Sequence, residues 1–81
     1  MSREDVLGRD LVRLAGILCR EKEFAEWLIS RGEIFEEDEV VEWMRSELGV
    51  QSRSEIPQNQ EAMHKLRSIN NEYQQWKQQN A

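Results

Sequence analysis

The segment LGRDLVRLAGILC, residues 7–19, places leucines at positions 7, 11, 14 and 18. Spacings of four, three and four residues put these leucines on one face of an α-helix. Val12, Ala15 and Cys19 widen that face on one side. A wide apolar face contacts more than one neighbour, so the pattern predicts a central helix over about residues 3–19. Ser2, followed three residues later by Asp5, resembles a capping box at its start.

A second helix is predicted over about residues 21–31, where aromatic and aliphatic residues fall on one face. Gly32 follows Arg31, as expected where a basic last turn ends in a left-handed residue. The connection after Gly32 contains two large apolar residues, Ile34 and Phe35, and we expect both to fill the core.

A third helix is predicted over about residues 36–48, with acidic residues in its first turn and Gly49 after its last. Its predicted apolar face consists of Val40, Val41, Met44 and Leu48. Ser52 and Glu55 form an S-x-x-E capping box, which predicts a single helical turn over residues 52–56. Pro57 is expected to end that turn, because the residue before a proline is pushed out of helical geometry.

The last predicted helix covers residues 59–79. Its apolar residues recur at spacings of four, three, four and three: Ala62, Leu66, Ile69, Tyr73 and Trp76. No segment alternates with the period of a strand. The sequence therefore predicts one all-α domain over residues 1–81, a small helical bundle of three main helices plus one short helix. Pairing of two chains through residues 62–76 is an alternative, in which the protein is a homodimeric structural protein.

Composition excludes several classes of function. The 81 residues carry 16 acidic and 11 basic side chains, a net charge of −5, which argues against a domain that mainly binds phosphates. One cysteine and one histidine cannot form a protein-only zinc site or an internal disulfide. We expect no metal, no cofactor and no enzymatic activity. The sequence has no apolar run of about 20 residues and no signal segment, so we expect no membrane partner and a cytoplasmic location.

An acidic run between residues 33 and 47 is the strongest local feature, because a single base, Arg45, lies within it. Such a surface favours docking on a basic partner, in the manner of a nucleic-acid mimic. The same acids also suit a solvated helix N-terminus. Trp43 lies at the edge of the helix's apolar face, where an exposed tryptophan would anchor an interface. The candidate partner-binding residues are Glu36, Glu37, Asp38, Glu39, Glu42 and Trp43.

The alternative function is a recombination or replication accessory that contacts nucleic acid directly. Its candidate residues are Arg53, Lys65, Arg67 and Lys77. Four bases are few for binding duplex DNA without a second copy or a partner. His64 and Cys19 have no neighbours in sequence that indicate catalysis.

A series of residues along most of the chain resembles small proteins encoded by tailed phages and prophages, whose members carry a G-[IV]-x-S-R-x-E-[LI] segment before a helix with spaced aromatic residues. The matching residues are Cys19, Phe24, Trp27, Leu28, Gly32, Glu42, Trp43, Arg45, Gly49, Val50, Ser52, Arg53, Glu55, Ile56, Ala62, Leu66, Tyr73 and Trp76. The resemblance implies a mobile-element accessory protein of the bacterial host cytoplasm. Together with the acidic run, it leads us to expect a protein that binds, and inhibits, a host nucleic-acid-processing or defence enzyme.

Overall fold

A computed structural model describes residues 3–79 of the chain, with side chains described from Asp10 onward. Helix α1 spans Arg3–Arg20, α2 Lys22–Ser30, α3 Val40–Leu48 and α4 Gln60–Gln79. Short 3₁₀ turns cover Glu37–Glu39, directly before α3, and Arg53–Gln58, before α4. The described residues contain no strand, so the all-α prediction is confirmed. Ser2, of the first predicted capping box, lies outside the described residues.

The helix ends follow the sequence signals. Gly32 and Gly49 adopt φ of 76° and 70°, the left-handed conformation that glycine reaches without steric cost. After α2, the Glu33 N–H donates to the Leu28 carbonyl at 2.9 Å, which closes the helix end. The Glu55 carboxylate accepts the backbone N–H groups of Gln51 and Ser52, both at 2.9 Å, as the predicted capping box requires.

The core lies where α1 meets the other three α-helices and the 53–58 turn. Each of the four α-helices contributes buried apolar side chains to this core, and the 53–58 turn contributes Ile56. The buried residues of α4 are the predicted Ala62, Leu66, Ile69 and Tyr73. From α1, Leu11, Ala15 and Leu18 are buried, whereas Leu14 is only half-buried. Burial of this continuous apolar surface provides the main stabilisation of the fold.

Five of the six aromatic residues form one connected cluster in this core. Phe24 lies at its centre, with ring centroids 5.6 Å from Trp27, 5.1 Å from Tyr73 and 6.2 Å from Trp43. Trp76 stacks on Tyr73 at 6.3 Å. Edge-on and tilted contacts of this kind add to the stabilisation from buried area. The cluster joins α2, α3 and α4.

The structure corrects several details of the prediction. Residues 3–79 form two long helices, of 18 and 20 residues, and two of nine residues, where the sequence predicts three main helices and one short helix. The third helix opens with a 3₁₀ turn, because the Glu39 N–H donates to the Glu36 carbonyl three residues earlier. Pro57 lies within the second 3₁₀ turn instead of ending it. The turn continues because its last bond, from Asn59 N–H to the Ile56 carbonyl, does not need the N–H that proline lacks.

Two apolar residues expected in the core lie outside it. Phe35 is 87% exposed and Val41 is 44% exposed, whereas Ile34 is buried as predicted. On α3, the buried residues Val40, Met44 and Leu48 recur every fourth position, so the face that contacts the core is narrower than the predicted one.

Tyr73 is fully buried. Its hydroxyl donates to the carboxylate of Glu21, at the corner between α1 and α2, over 2.6 Å. Burial, and then this hydrogen bond, raise the pKa of Tyr73 above its ordinary value. The phenol therefore stabilises the fold below pH about 10, where an unfolded tyrosine is still protonated, and this contribution is lost as the pH rises above about 10.

Tyr73→Phe is expected to lower the free energy of unfolding at pH 8 by about 1–2 kcal/mol, because the bond to Glu21 is lost. The same variant should lose less stability than wild type between pH 10 and 12. Urea titrations followed by tryptophan fluorescence at both pH values measure the difference. An equal alkaline loss in the two proteins would show that Tyr73 does not control it.

Candidate protein-binding site

Residues 33–43, here called the acidic segment, connect α2 to the first turn of α3. They carry six carboxylates and no basic residue. The backbone of this segment is held at three points: by the left-handed Gly32 before it, by buried Ile34, and by the Glu39 carboxylate. Glu39 accepts the N–H groups of Phe35 and Glu36, each at 2.7 Å. The segment is therefore a fixed turn rather than a loose loop.

Phe35 is the aromatic residue that the core does not use. Its ring is 87% exposed, although its own N–H is bound by Glu39. A fixed backbone reduces the conformational entropy that is lost when such a side chain inserts into a partner. Exposed aromatic rings on fixed supports are typical interface anchors, because they bury a large apolar area on binding.

The predicted acidic residues are all exposed, but they have different roles. The carboxylate of Glu39 is occupied by the backbone of residues 35 and 36. Glu36, Glu37, Asp38 and Glu42 project from the turn and the start of α3 with no ion pair to another described residue. Negative charge at this position also suits the N-terminal end of α3. The Glu36 carboxylate accepts the Glu39 backbone N–H in the capping box of the 3₁₀ turn. The carboxylates of Glu37, Asp38 and Glu42 are free and follow the exposed Phe35 in sequence.

Trp43 is half-buried, not fully exposed. Its ring packs edge-on against Phe24 at 6.2 Å, and its indole N–H donates to the Glu33 carboxylate at 3.2 Å. Trp43 therefore joins the end of the acidic segment to the core, through Phe24, and to the start of the segment, through Glu33. Phe35, which the sequence analysis placed in the core, takes the exposed position expected of Trp43. The bent connection after α2 buries Ile34 in the core and leaves Phe35 in the solvent.

The bases of the alternative function have separate surroundings. Arg53 lies against α1 beside Gly16, whereas the Lys65 ammonium donates to the Glu47 carbonyl at 3.3 Å. Lys77 lies over the Tyr73 ring, with its nitrogen 5.3 Å from the centroid. Lys65 and Arg67, two positions apart on α4, point about 200° apart around the helix axis. The described contacts do not bring the four bases into one surface.

The apolar residues of α4 that recur over residues 62–76, through which two chains could pair, are mostly buried in the chain's own core. Ala62, Leu66, Ile69 and Tyr73 are buried, and Trp76 is half-buried. A dimer formed through these residues would have to displace the chain's own core. The homodimer stays a prediction, which the solution mass at several concentrations would test.

Few groups in the structure suggest catalytic chemistry. Among residues 10–79, no three histidine, cysteine, aspartate or glutamate side chains come together as metal ligands. Burial raises the pKa of the Cys19 thiol, although Arg53 and Arg45 nearby act in the opposite direction. His64 is exposed on α4, beside Gln60, Glu61 and Lys65. No helix in the described part of the chain is long and apolar enough to cross a bilayer.

No protein-family model matches the chain, and no curated protein or solved structure is significantly similar to it.

Proposed function

We propose that this chain is a non-enzymatic binding module that docks through its acidic segment onto a basic surface of a partner protein and inhibits it. One observation carries the proposal: Phe35, 87% exposed, projects from a turn whose backbone is fixed by Glu39. An exposed apolar anchor that is followed in sequence by free carboxylates fits a partner that has an apolar pocket with a basic rim.

The charge of the segment supports a particular class of partner. Proteins that process nucleic acid carry clustered lysine and arginine residues on the surface that holds the phosphates. A cluster of carboxylates can occupy such a surface and exclude the nucleic acid. Together with the resemblance to phage and prophage accessory proteins, this leads us to propose a nucleic-acid-processing or defence enzyme of the bacterial host as the partner.

Affinity capture from a bacterial lysate, with and without nuclease treatment, tests the proposal when wild type is compared with Phe35→Ser. We expect wild type to retain a basic protein that Phe35→Ser does not retain. Ile29→Ser is the matched control, since Ile29 is an exposed apolar residue outside the acidic segment.

Two results would contradict the proposal. Retention of the same proteins by Phe35→Ser would remove the role of the anchor. Recovery of proteins that disappear after nuclease treatment would instead indicate direct binding to nucleic acid through bases such as Arg53.

A further inference from the structure

A cavity of about 300 Å³ lies between α1, α3 and the 53–58 turn. Its floor is formed by buried apolar side chains of α3 and of the segment that follows, and its rim by arginines. The floor residues are Met44, Leu48, Val50 and Ile56. The rim residues are Arg20, Arg45 and Arg53. This volume lies at the lower limit of cavities that hold small molecules.

An open cleft continues from the cavity along α1. It shares Arg20, Arg45 and Arg53 with the cavity, and it adds Arg13, Ser52 and Ser54. Arg13, Arg20, Arg45 and Arg53, with the floor described above, are called the arginine pocket below. The four arginines come from α1, α3 and the second 3₁₀ turn, so only the tertiary fold brings them together.

The arginine pocket has no negative counterpart among the described side chains. Within residues 10–79, the one ion pair joins Arg31 to Glu72, which are outside the pocket. Arg20 donates through Nε to the carbonyl of Gly16, at 3.2 Å, which leaves its terminal nitrogens available. No carboxylate of residues 10–79 lines either the cavity or the cleft. The described residues that line the pocket therefore carry no negative charge to balance the arginines.

Gly16 allows Arg53 to lie across the pocket. A Cβ atom built on Gly16 would collide with a terminal nitrogen of Arg53 and would lie 3.4 Å from its Cζ. Glycine lowers the stability of a helix interior by about 1 kcal/mol relative to alanine. At this position the missing side chain leaves room for a guanidinium group between α1 and the second 3₁₀ turn.

We propose that the arginine pocket binds a phosphorylated small molecule, with its phosphate on Arg20, Arg45 and Arg53 and an apolar or aromatic body on the floor. Guanidinium groups bind phosphate oxygens in pairs of parallel hydrogen bonds, which makes arginine the residue suited to this group. The apolar floor distinguishes the site from a flat basic surface for a polymer backbone. The proposal is independent of the acidic segment and of its partner.

Adenosine 5′-monophosphate is a suitable first probe, with adenosine and inorganic phosphate as its two halves. Titration of the ¹⁵N-labelled protein at constant ionic strength should shift amide signals around Gly16, Arg45 and Arg53 with the nucleotide. Adenosine should bind at least about tenfold more weakly, since it lacks the charge-assisted bonds.

Arg45→Gln/Arg53→Gln should weaken nucleotide binding by about tenfold or more, whereas Arg67→Gln, an exposed arginine on α4, should leave it unchanged. Removing unbalanced positive charge should also leave the free double variant as stable as wild type at low salt, or more stable.

Gly16→Ala gives a second test without removing a charge, because the new methyl group displaces Arg53 and should weaken binding while the melting temperature holds or rises.

Three results would overturn the proposal. The first is the absence of shifts with both the nucleotide and inorganic phosphate at millimolar concentration. The second is equal binding of adenosine and its monophosphate, which would leave no role for the arginines. The third is the absence of binding by the nucleotide together with binding of a single-stranded oligothymidine of ten nucleotides, which shifts amide signals around Lys65 and Arg67.

Discussion

Phe24→Ala is expected to lower the free energy of unfolding by about 3–5 kcal/mol, the range measured for truncation of a buried phenylalanine. Phe24 is fully buried, and its ring contacts those of Trp27, Trp43 and Tyr73. Its removal leaves a cavity between α2, α3 and α4. A domain of this size has a total stability of only about 4–12 kcal/mol, so the loss is a large fraction of the total and the variant should unfold at a much lower urea concentration than wild type.

Phe35→Ala is the matched control, because it is the same substitution at the chain's other phenylalanine. Phe35 is 87% exposed, so its truncation should change the free energy of unfolding by less than about 0.5 kcal/mol. Urea titrations followed by circular dichroism at 222 nm measure both values. Equal losses of stability in the two variants would mean that the acidic segment is packed on the core, which contradicts the fold described here.

Phe35→Ser is expected to weaken binding of the partner at least about thirtyfold, as removal of an interface anchor does at a hot spot. Replacing Glu37, Asp38 and Glu42 with their amides should also weaken binding, mainly by slowing association, and this effect should shrink at high salt. Glu36 and Glu39 are left unchanged in this variant, because their carboxylates hold the turn: Glu39 accepts the N–H groups of Phe35 and Glu36, and Glu36 accepts the N–H of Glu39. Surface plasmon resonance at two salt concentrations separates the two effects.

A second triple variant controls for net charge. Glu23, Glu26 and Glu61 are exposed acids on α2 and α4, so their conversion to glutamine removes the same three charges elsewhere. This control should bind with nearly the wild-type rate constants. If it slows association as much as the variant of the acidic segment does, the net charge of −5, rather than the position of the acids, governs binding.

The sequence predicts the helices well, because their signals are local. The leucine spacing of α1 shows which face of that helix is apolar. The ends of the other elements are marked by residues a few positions away: Gly32, Gly49 and the Ser52–Glu55 capping box. The apolar face of α4 is predictable for the same reason, since residues three or four positions apart lie on one side of a helix. The start of α3 is less predictable, because residues 37–39, predicted as its first turn, take 3₁₀ instead of α-helical geometry.

The features that matter for binding depend on tertiary contacts, and the sequence shows them poorly. The burial of Ile34 and the exposure of Phe35 are decided by which side of the connection faces the core. Trp43 is drawn inward by Phe24 and by Glu33, ten residues away. The arginine pocket combines positions 13, 20, 45 and 53, which share no sequence pattern. In each case residues distant in sequence meet only after the helices pack.

Photo-crosslinking from position 35 tests the central claim most directly. Benzoylphenylalanine, placed there in the full chain in bacterial cells, should crosslink to one basic protein, and nuclease treatment should not change the product. The same group at position 64, where His64 is exposed on α4, is the control and should not give this product. A crosslink from position 64 but not from 35, or one to nucleic acid, would contradict the proposal that the acidic segment binds a partner protein.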